Sequence, residues 1–85
     1  IIPHHPTMSL KIISAEDILF EGEVSAVHLP GTQGAFTVLR NHASLISTLT
    51  PGRVEYDLPG GGRQGVDISG GIADIDRNVV AVCIF

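Results

Sequence analysis

Hydrophobic and polar residues alternate with a period of two along most of this chain, and short turn signals interrupt the alternation. Residues 10–14 put Leu10 and Ile12 on one face of a strand. Ala15 and Glu16 read as a turn, and residues 18–21 as a second brief strand. Glu16 and Asp17 before an apolar run also suit a helix cap, but Gly22 arrives after one turn and favours the strand. Residues 24–29 read as a third strand, with Val27 and Leu29 inward, Ser25 on their face and His28 outward. Strands follow at 36–39 and 44–50. Over residues 53–58, Val54, Tyr56 and Leu58 face one way and Arg53, Glu55 and Asp57 the other, the mark of a half-buried antiparallel strand. Pro59-Gly60-Gly61-Gly62 forms a hairpin loop into residues 63–68, where Val66 and Ile68 face in and Asp67 faces out. Ser69-Gly70-Gly71 breaks the pattern, as glycine pairs do at a bulge or a close backbone approach. Residues 72–75 resume the strand, and Asp76-Arg77-Asn78 turns. Residues 79–85 are apolar on both faces, so this run is either central or covered on its outer side.

Turn signals recur about every 8 to 12 residues, and no helix of ten or more residues can be placed, so the pattern predicts an all-β sandwich. The densest turn chemistry lies within residues 29–54. There Gly31, Gly34 and Gly52 supply positions where positive φ is unstrained, while Pro30 and Pro51 pre-set φ for turns.

Composition sharpens this picture. The 85 residues suit one domain, and the sequence divides into an arm or tag remnant at 1–7 and a sandwich at 8–85. A chain of this length buries only roughly 60 to 65% of its unfolded surface, so partner contacts would support it. Hydrophobic residues make up 44% but aromatics only 5%, which implies a core of Val, Ile and Leu. The formal net charge of −4 disfavours nucleic acid and anionic membrane surfaces. No long apolar run predicts a membrane span or lipid insertion. The single Cys83 forms no intramolecular disulfide and reads as a small buried hydrophobe in its apolar run. The His4-His5 pair fits a tag fragment better than a native metal site.

Chemistry-bearing patterns are sparse. Gly31-Thr32-Gln33-Gly34 lacks the Gly-Lys-Ser/Thr ending of a phosphate loop and precedes no helix. His42 sits at a loop corner without a spacing that announces a carboxylate or nucleophile partner. Asp67, Asp74 and Asp76 lack the loop spacing of a Ca²⁺ site. No catalytic residue, metal site or cofactor is therefore assigned, and the reading that remains is a non-catalytic protein-binding module.

The segments IISAEDILFEGEV, GTQGAFTVLRNHASLISTLTPGRV and SGGIADI, in this order and spacing, resemble the N-terminal β-sandwich domain of the epsilon subunit of F-type ATP synthases. The resemblance runs from about Leu10 to the last residue, and a relative is the delta subunit of the mitochondrial enzyme. It implies two roughly five-stranded, mainly antiparallel sheets and a rotor role at the cytoplasmic face of a bacterial inner membrane. The implied partners are the gamma subunit of the central stalk and the ring of proton-carrying subunits. It further implies that Ser14, His42 and Ser47 lie toward gamma. The loop of Gly31, Thr32, Gln33, Gly34, Ala35, Phe36 and Thr37 would face the ring, while Gly52, Gly70 and Gly71 are read as structural glycines from their own turn and break positions. The sequence departs from the family pattern in that loop, where Gln33 and Ala35 stand at positions that commonly carry acids and Thr37 at a common glycine. At the corner Arg40-Asn41-His42 replaces Pro-Gly-His, and Asn41 is expected to take the left-handed conformation of that glycine. Most members continue into a C-terminal helical hairpin, which this sequence does not show after Phe85. That fits either a natural short form or a cut chain. A free-standing sandwich binding a small molecule or glycan is the competing reading, although Tyr56 and three Phe are few aromatics for it.

Overall fold

Nine strands make up the computed structural model, which describes residues 7–85. The strands are β1 (Met8–Ile13), β2 (Ile18–Val24), β3 (Ala26–Leu29), β4 (Phe36–Leu39), β5 (Leu45–Leu49), β6 (Gly52–Asp57), β7 (Arg63–Ile68), β8 (Gly71–Asp76) and β9 (Val79–Ile84). The His4-His5 pair and all of the N-terminal arm except Thr7 lie outside the described residues.

Period-two patterning gives each strand one apolar face, and two such faces must cover each other to leave water. A five-stranded sheet, in the order β2-β1-β9-β8-β5, packs on a four-stranded sheet, in the order β4-β3-β6-β7. The second sheet thus has four strands. All pairings are antiparallel except β1 with β9. Leu10, Ile12, Val24, Ala73, Ile75, Val80 and Val82 from the first sheet meet Val27, Leu29, Val38, Val54 and Tyr56 from the second. Phe20 and Tyr56 join the layers with ring centroids 4.2 Å apart. The Tyr56 hydroxyl donates to Gln64 Oε1 at 3.3 Å, which gives the buried ring's polar end a partner.

Several sequence expectations need correction. The strand expected at 24–29 is two strands: Val24 ends β2 and Ala26 begins β3. Both residues are buried, but in different sheets, because the chain crosses between layers at Ser25. Ser25 ties the crossing to β6, its N–H and hydroxyl both donating to the Asp57 carbonyl. Cys83 is exposed, not buried. β9 is central in its sheet, and Val80 and Val82 fill the core side, so Val79, Ala81 and Cys83 are left on a face that no other layer among the described residues covers. Positive φ occurs at Gly34 but at neither Gly31 nor Gly52. A methyl group at Gly31 would lie 2.8 Å from the Gly34 carbonyl, so close approach explains that glycine. At Gly52 an added methyl would make ordinary contact with Pro30, and the structure gives no requirement for glycine there.

The Ser69-Gly70-Gly71 break behaves as expected. Gly70 sits at φ +147, and a Cβ on Gly71 would collide with the Cys83 carbonyl of the neighbouring strand.

Candidate functional site

The two outer faces differ in chemistry. On the four-stranded sheet the outward positions carry His28, Thr37, Arg53, Glu55, Asp57, Arg63 and Asp67. Arg63 Nε donates to Asp57 Oδ1 at 2.6 Å, and Arg53 to Asp67 at 3.0 Å. His28 Nε2 meets Asp57 Oδ2 at 3.1 Å, and its Nδ1 meets the Thr37 hydroxyl at 3.0 Å. A carboxylate only accepts, so Nε2 donates and Nδ1 of the neutral ring accepts from Thr37. Hydrogen bonds from Arg63 and then His28 hold the Asp57 carboxyl below its ordinary range. These groups satisfy one another, as a solvated face should.

The outer face of the five-stranded sheet carries charges as well, with Lys11 and Glu21 3.6 Å apart and Asp74 and Asp76 on β8, but one row across it is largely apolar. Register places Ile18 beside Ile13, Ile13 beside Cys83, Cys83 beside Ile72 and Ile72 beside Thr48. That row crosses every strand of the sheet. Ile18 is 52% exposed and Ile72 42%. Val79 and Ile46 lie on the same face and are exposed too. An apolar row on an outer face, ending at Thr48 on β5, is a surface suited to cover by further protein. Sequence reasoning assigned none of these residues to a site. The signal was present in residues 79–85, apolar on both faces, and in Ile46 and Ile72 at outward positions.

Ser14 closes the turn at one end of this sheet. Its hydroxyl accepts from the Asp17 N–H at 3.2 Å, while its N–H donates to the Asp17 carbonyl at 2.8 Å. His42 lies at the opposite end. Asn41 beside it adopts φ 66, the left-handed conformation expected, and its N–H donates to Asn78 Oδ1 at 2.6 Å in the β8–β9 turn. His42 Nδ1 donates to the Ala43 carbonyl at 2.7 Å, which leaves Nε2 for a partner. Ser47 is half-buried on the core side of β5, level with Ala73. Ser14 is therefore not gathered with the other two: β9 and β8 stand between β1 and β5.

The loop at 31–37 does meet β5. Gly31 bridges Leu49, Thr32 N–H donates to the Thr48 carbonyl at 3.0 Å, and the two threonine hydroxyls bond at 2.7 Å. Gly34 N–H donates to the Gly31 carbonyl at 3.0 Å, so Gln33 stands exposed at the tip of a tight turn. Phe36 and Thr37 belong to β4, with Phe36 packed against the core. Between loop and β5 lies an open cleft of about 470 Å³.

Among the described residues no helix is long and apolar enough to cross a membrane. The family described as ATP synthase, delta/epsilon chain, beta-sandwich domain matches residues 7–84. An ATP synthase epsilon chain of a Nitratiruptor species is 40% identical over 72 residues, 85% of this chain and 56% of that one. The epsilon chain of Bordetella petrii is 36% identical over 76 residues, 89% and 54% respectively. The chain thus spans about half the length of these curated relatives. A chain of the Euglena gracilis mitochondrial ATP synthase, solved by cryo-EM as the OSCP/F1/c-ring assembly, matches the fold with a TM-score of 0.88 at 25% identity, covering 93% of this chain and 51% of that one. A chain of the Tetrahymena thermophila enzyme's central stalk and c-ring matches with a TM-score of 0.77 at 9% identity, over 92% and 63%, a likeness of fold alone.

Proposed function

The chain belongs to the ATP synthase delta/epsilon β-sandwich family, and from that premise we propose that it acts in the rotor of an F-type ATP synthase as a non-catalytic epsilon subunit. In this reading it binds the gamma subunit of the central stalk and rests on the ring of proton-carrying subunits, so that rotation of the ring is passed to the stalk. The complex would hold it peripherally, at the cytoplasmic face of a bacterial inner membrane.

The single observation that carries the reading is the family match over residues 7–84. The sidedness of the sandwich adds to it. A rotor element needs a surface that stays attached under load, and apolar burial supplies attachment that salt does not screen. The band through Ile13, Cys83 and Ile72 is such a surface, and gamma is its proposed occupant. Ser14 flanks one end of the band and the His42 corner leads into β5, while Ser47 lies within β5 on its core side. The tip at Gln33 and Gly34 is the proposed contact with the ring. Its uncharged side chains imply contact through backbone groups and the Gln33 amide rather than ion pairs.

The test is reconstitution. ATP synthase stripped of its epsilon subunit is mixed with the purified chain, and co-elution with gamma and proton-driven ATP synthesis are followed. Co-elution with restored synthesis is expected; a chain that joins neither gamma nor the assembled enzyme refutes the assignment.

A further inference from the structure

The four edge strands are guarded unequally. An exposed sheet edge is a template for another strand, and proteins blunt it with charges, prolines or bulges. β2 carries Glu21 and Glu23, and β7 carries Arg63 and Asp67. β5, Leu-Ile-Ser-Thr-Leu, contains no charge, no proline and no glycine. β4, the edge of the other sheet, is also uncharged but only four residues long, and its Phe36 lines the same cleft as Leu45 and Ser47. The sandwich is thus open along this side.

Half of the β5 edge is already occupied. Thr32 N–H donates to the Thr48 carbonyl, and Thr50 N–H donates to the Pro30 carbonyl at 2.8 Å, so residues 30–32 lie along β5 as a rudimentary strand. Within an antiparallel strand the N–H and C=O of one residue point to the same side, and successive residues alternate. Since Thr48 points to the free edge, Ile46 points there as well, while Leu45, Ser47 and Leu49 point to β8. Gly34 N–H folds back to the Gly31 carbonyl, which turns the chain away before it reaches Ile46. Among the described residues, the Ile46 N–H and C=O have no hydrogen-bond partner, and the Ile46 side chain is 71% exposed.

We infer that β5 receives an extended segment of the stalk partner, which adds as a further strand at Ile46 and continues the line begun by residues 30–32. This deepens the proposed function and rests on its assignment of gamma as partner. The added strand pairs main chain to main chain with Ile46. Its outward residue there is apolar, because it stands against the Ile46 side chain, which is 71% exposed. Its inward residue enters the cleft between Phe36, Leu45 and Ser47, which has room for a medium-sized uncharged side chain. The paired strand is what makes docking directional, since backbone bonds fix register as apolar contact alone does not.

The decisive measurement is amide hydrogen exchange of the isotope-labelled chain, alone and bound to gamma. Free, the Ile46 amide should exchange near the open-chain rate; bound, it should slow by about a hundredfold or more. Ile46→Pro, which removes an N–H that no bond among the described residues uses, should weaken gamma binding about tenfold or more, while Ile46→Val leaves it within about threefold. A complex that forms with the Ile46 amide still exchanging freely overturns strand addition and leaves the gamma assignment intact. No complex at all overturns both. Protection of Ile46 in the chain alone at high concentration, with a dimer in sedimentation, would mean that a second copy takes the edge, and overturns the proposal.

Discussion

Asn41 and Asn78 hold each other across 37 positions of sequence: the Asn41 N–H donates to Asn78 Oδ1 at 2.6 Å, and Asn78 Nδ2 donates to Asn41 Oδ1 at 3.2 Å. Both residues sit in the left-handed region, at φ 66 and 63, which asparagine tolerates better than most. The corner that presents His42 is thereby fastened to the turn between β8 and β9, and so to the central strands of the five-stranded sheet. Asn78→Ala removes both bonds and places a less tolerant residue at positive φ. It should destabilise the domain by about 1 to 3 kcal/mol. Urea midpoints of the two proteins measure this, and coincident unfolding curves would show the clasp to be energetically idle.

The two glycines of the break should respond differently. Gly70 has space around an added methyl group, with Phe85 at 3.4 Å, so Gly70→Ala carries mainly the backbone strain of φ +147, about 1 to 3 kcal/mol. At Gly71 a methyl group drives into the Cys83 backbone, which cannot move without parting β8 from β9. Gly71→Ala should therefore be the more damaging of the pair and leave little folded protein in a domain of ordinary marginal stability. Thermal melts of both variants decide the order; a milder Gly71→Ala would contradict it.

Acid should weaken the domain through Asp57. Its folded-state pKa is held down by Arg63 and His28, so the stabilisation is complete above the ordinary carboxylate value, about 4, and is lost as pH falls through the lowered one. Asp57→Asn should flatten the fall of the denaturation midpoint below about pH 4. If the wild-type chain and the Asp57→Asn variant lose stability in parallel through that range, another carboxylate is responsible.

Cys83 offers a chemical probe of the outer face. It is exposed at the centre of the apolar row, so a neutral alkylating reagent should modify it in the folded chain without unfolding. Binding of gamma should block that modification. Continued alkylation in the bound state at the free rate would remove the row from the interface.

Ile72→Lys should leave the fold intact, because Ile72 is already 42% exposed, yet weaken gamma binding by about tenfold or more through a buried unpaired charge. The paired measurements are a urea curve and a binding titration. Unchanged affinity sinks the role given to the band; lost stability would mean that Ile72 is part of the core.

Local chemistry determined much of this protein. The period-two pattern located the strands and their inward faces, as at Leu10 and Ile12 or Val54 and Tyr56, because alternation is a property of each strand by itself. Asn41 at positive φ and the glycine break at 70–71 were likewise legible, since they follow from what each backbone position tolerates. The tertiary structure alone decided which strands are neighbours. The parallel pairing of β1 with β9 joins the two ends of the domain, and no local signal announces it. The split at Ser25 was hidden because Val24 and Ala26 are both buried, each in a different sheet. Cys83 was misread for a related reason. Alternation says which residues share a face, but whether that face is covered depends on how many layers stack, and only two layers stack here. The same packing separates Ser14 from His42 and leaves the β5 edge open at Ile46, because edges and distances across a sheet arise from pairings between residues far apart in sequence.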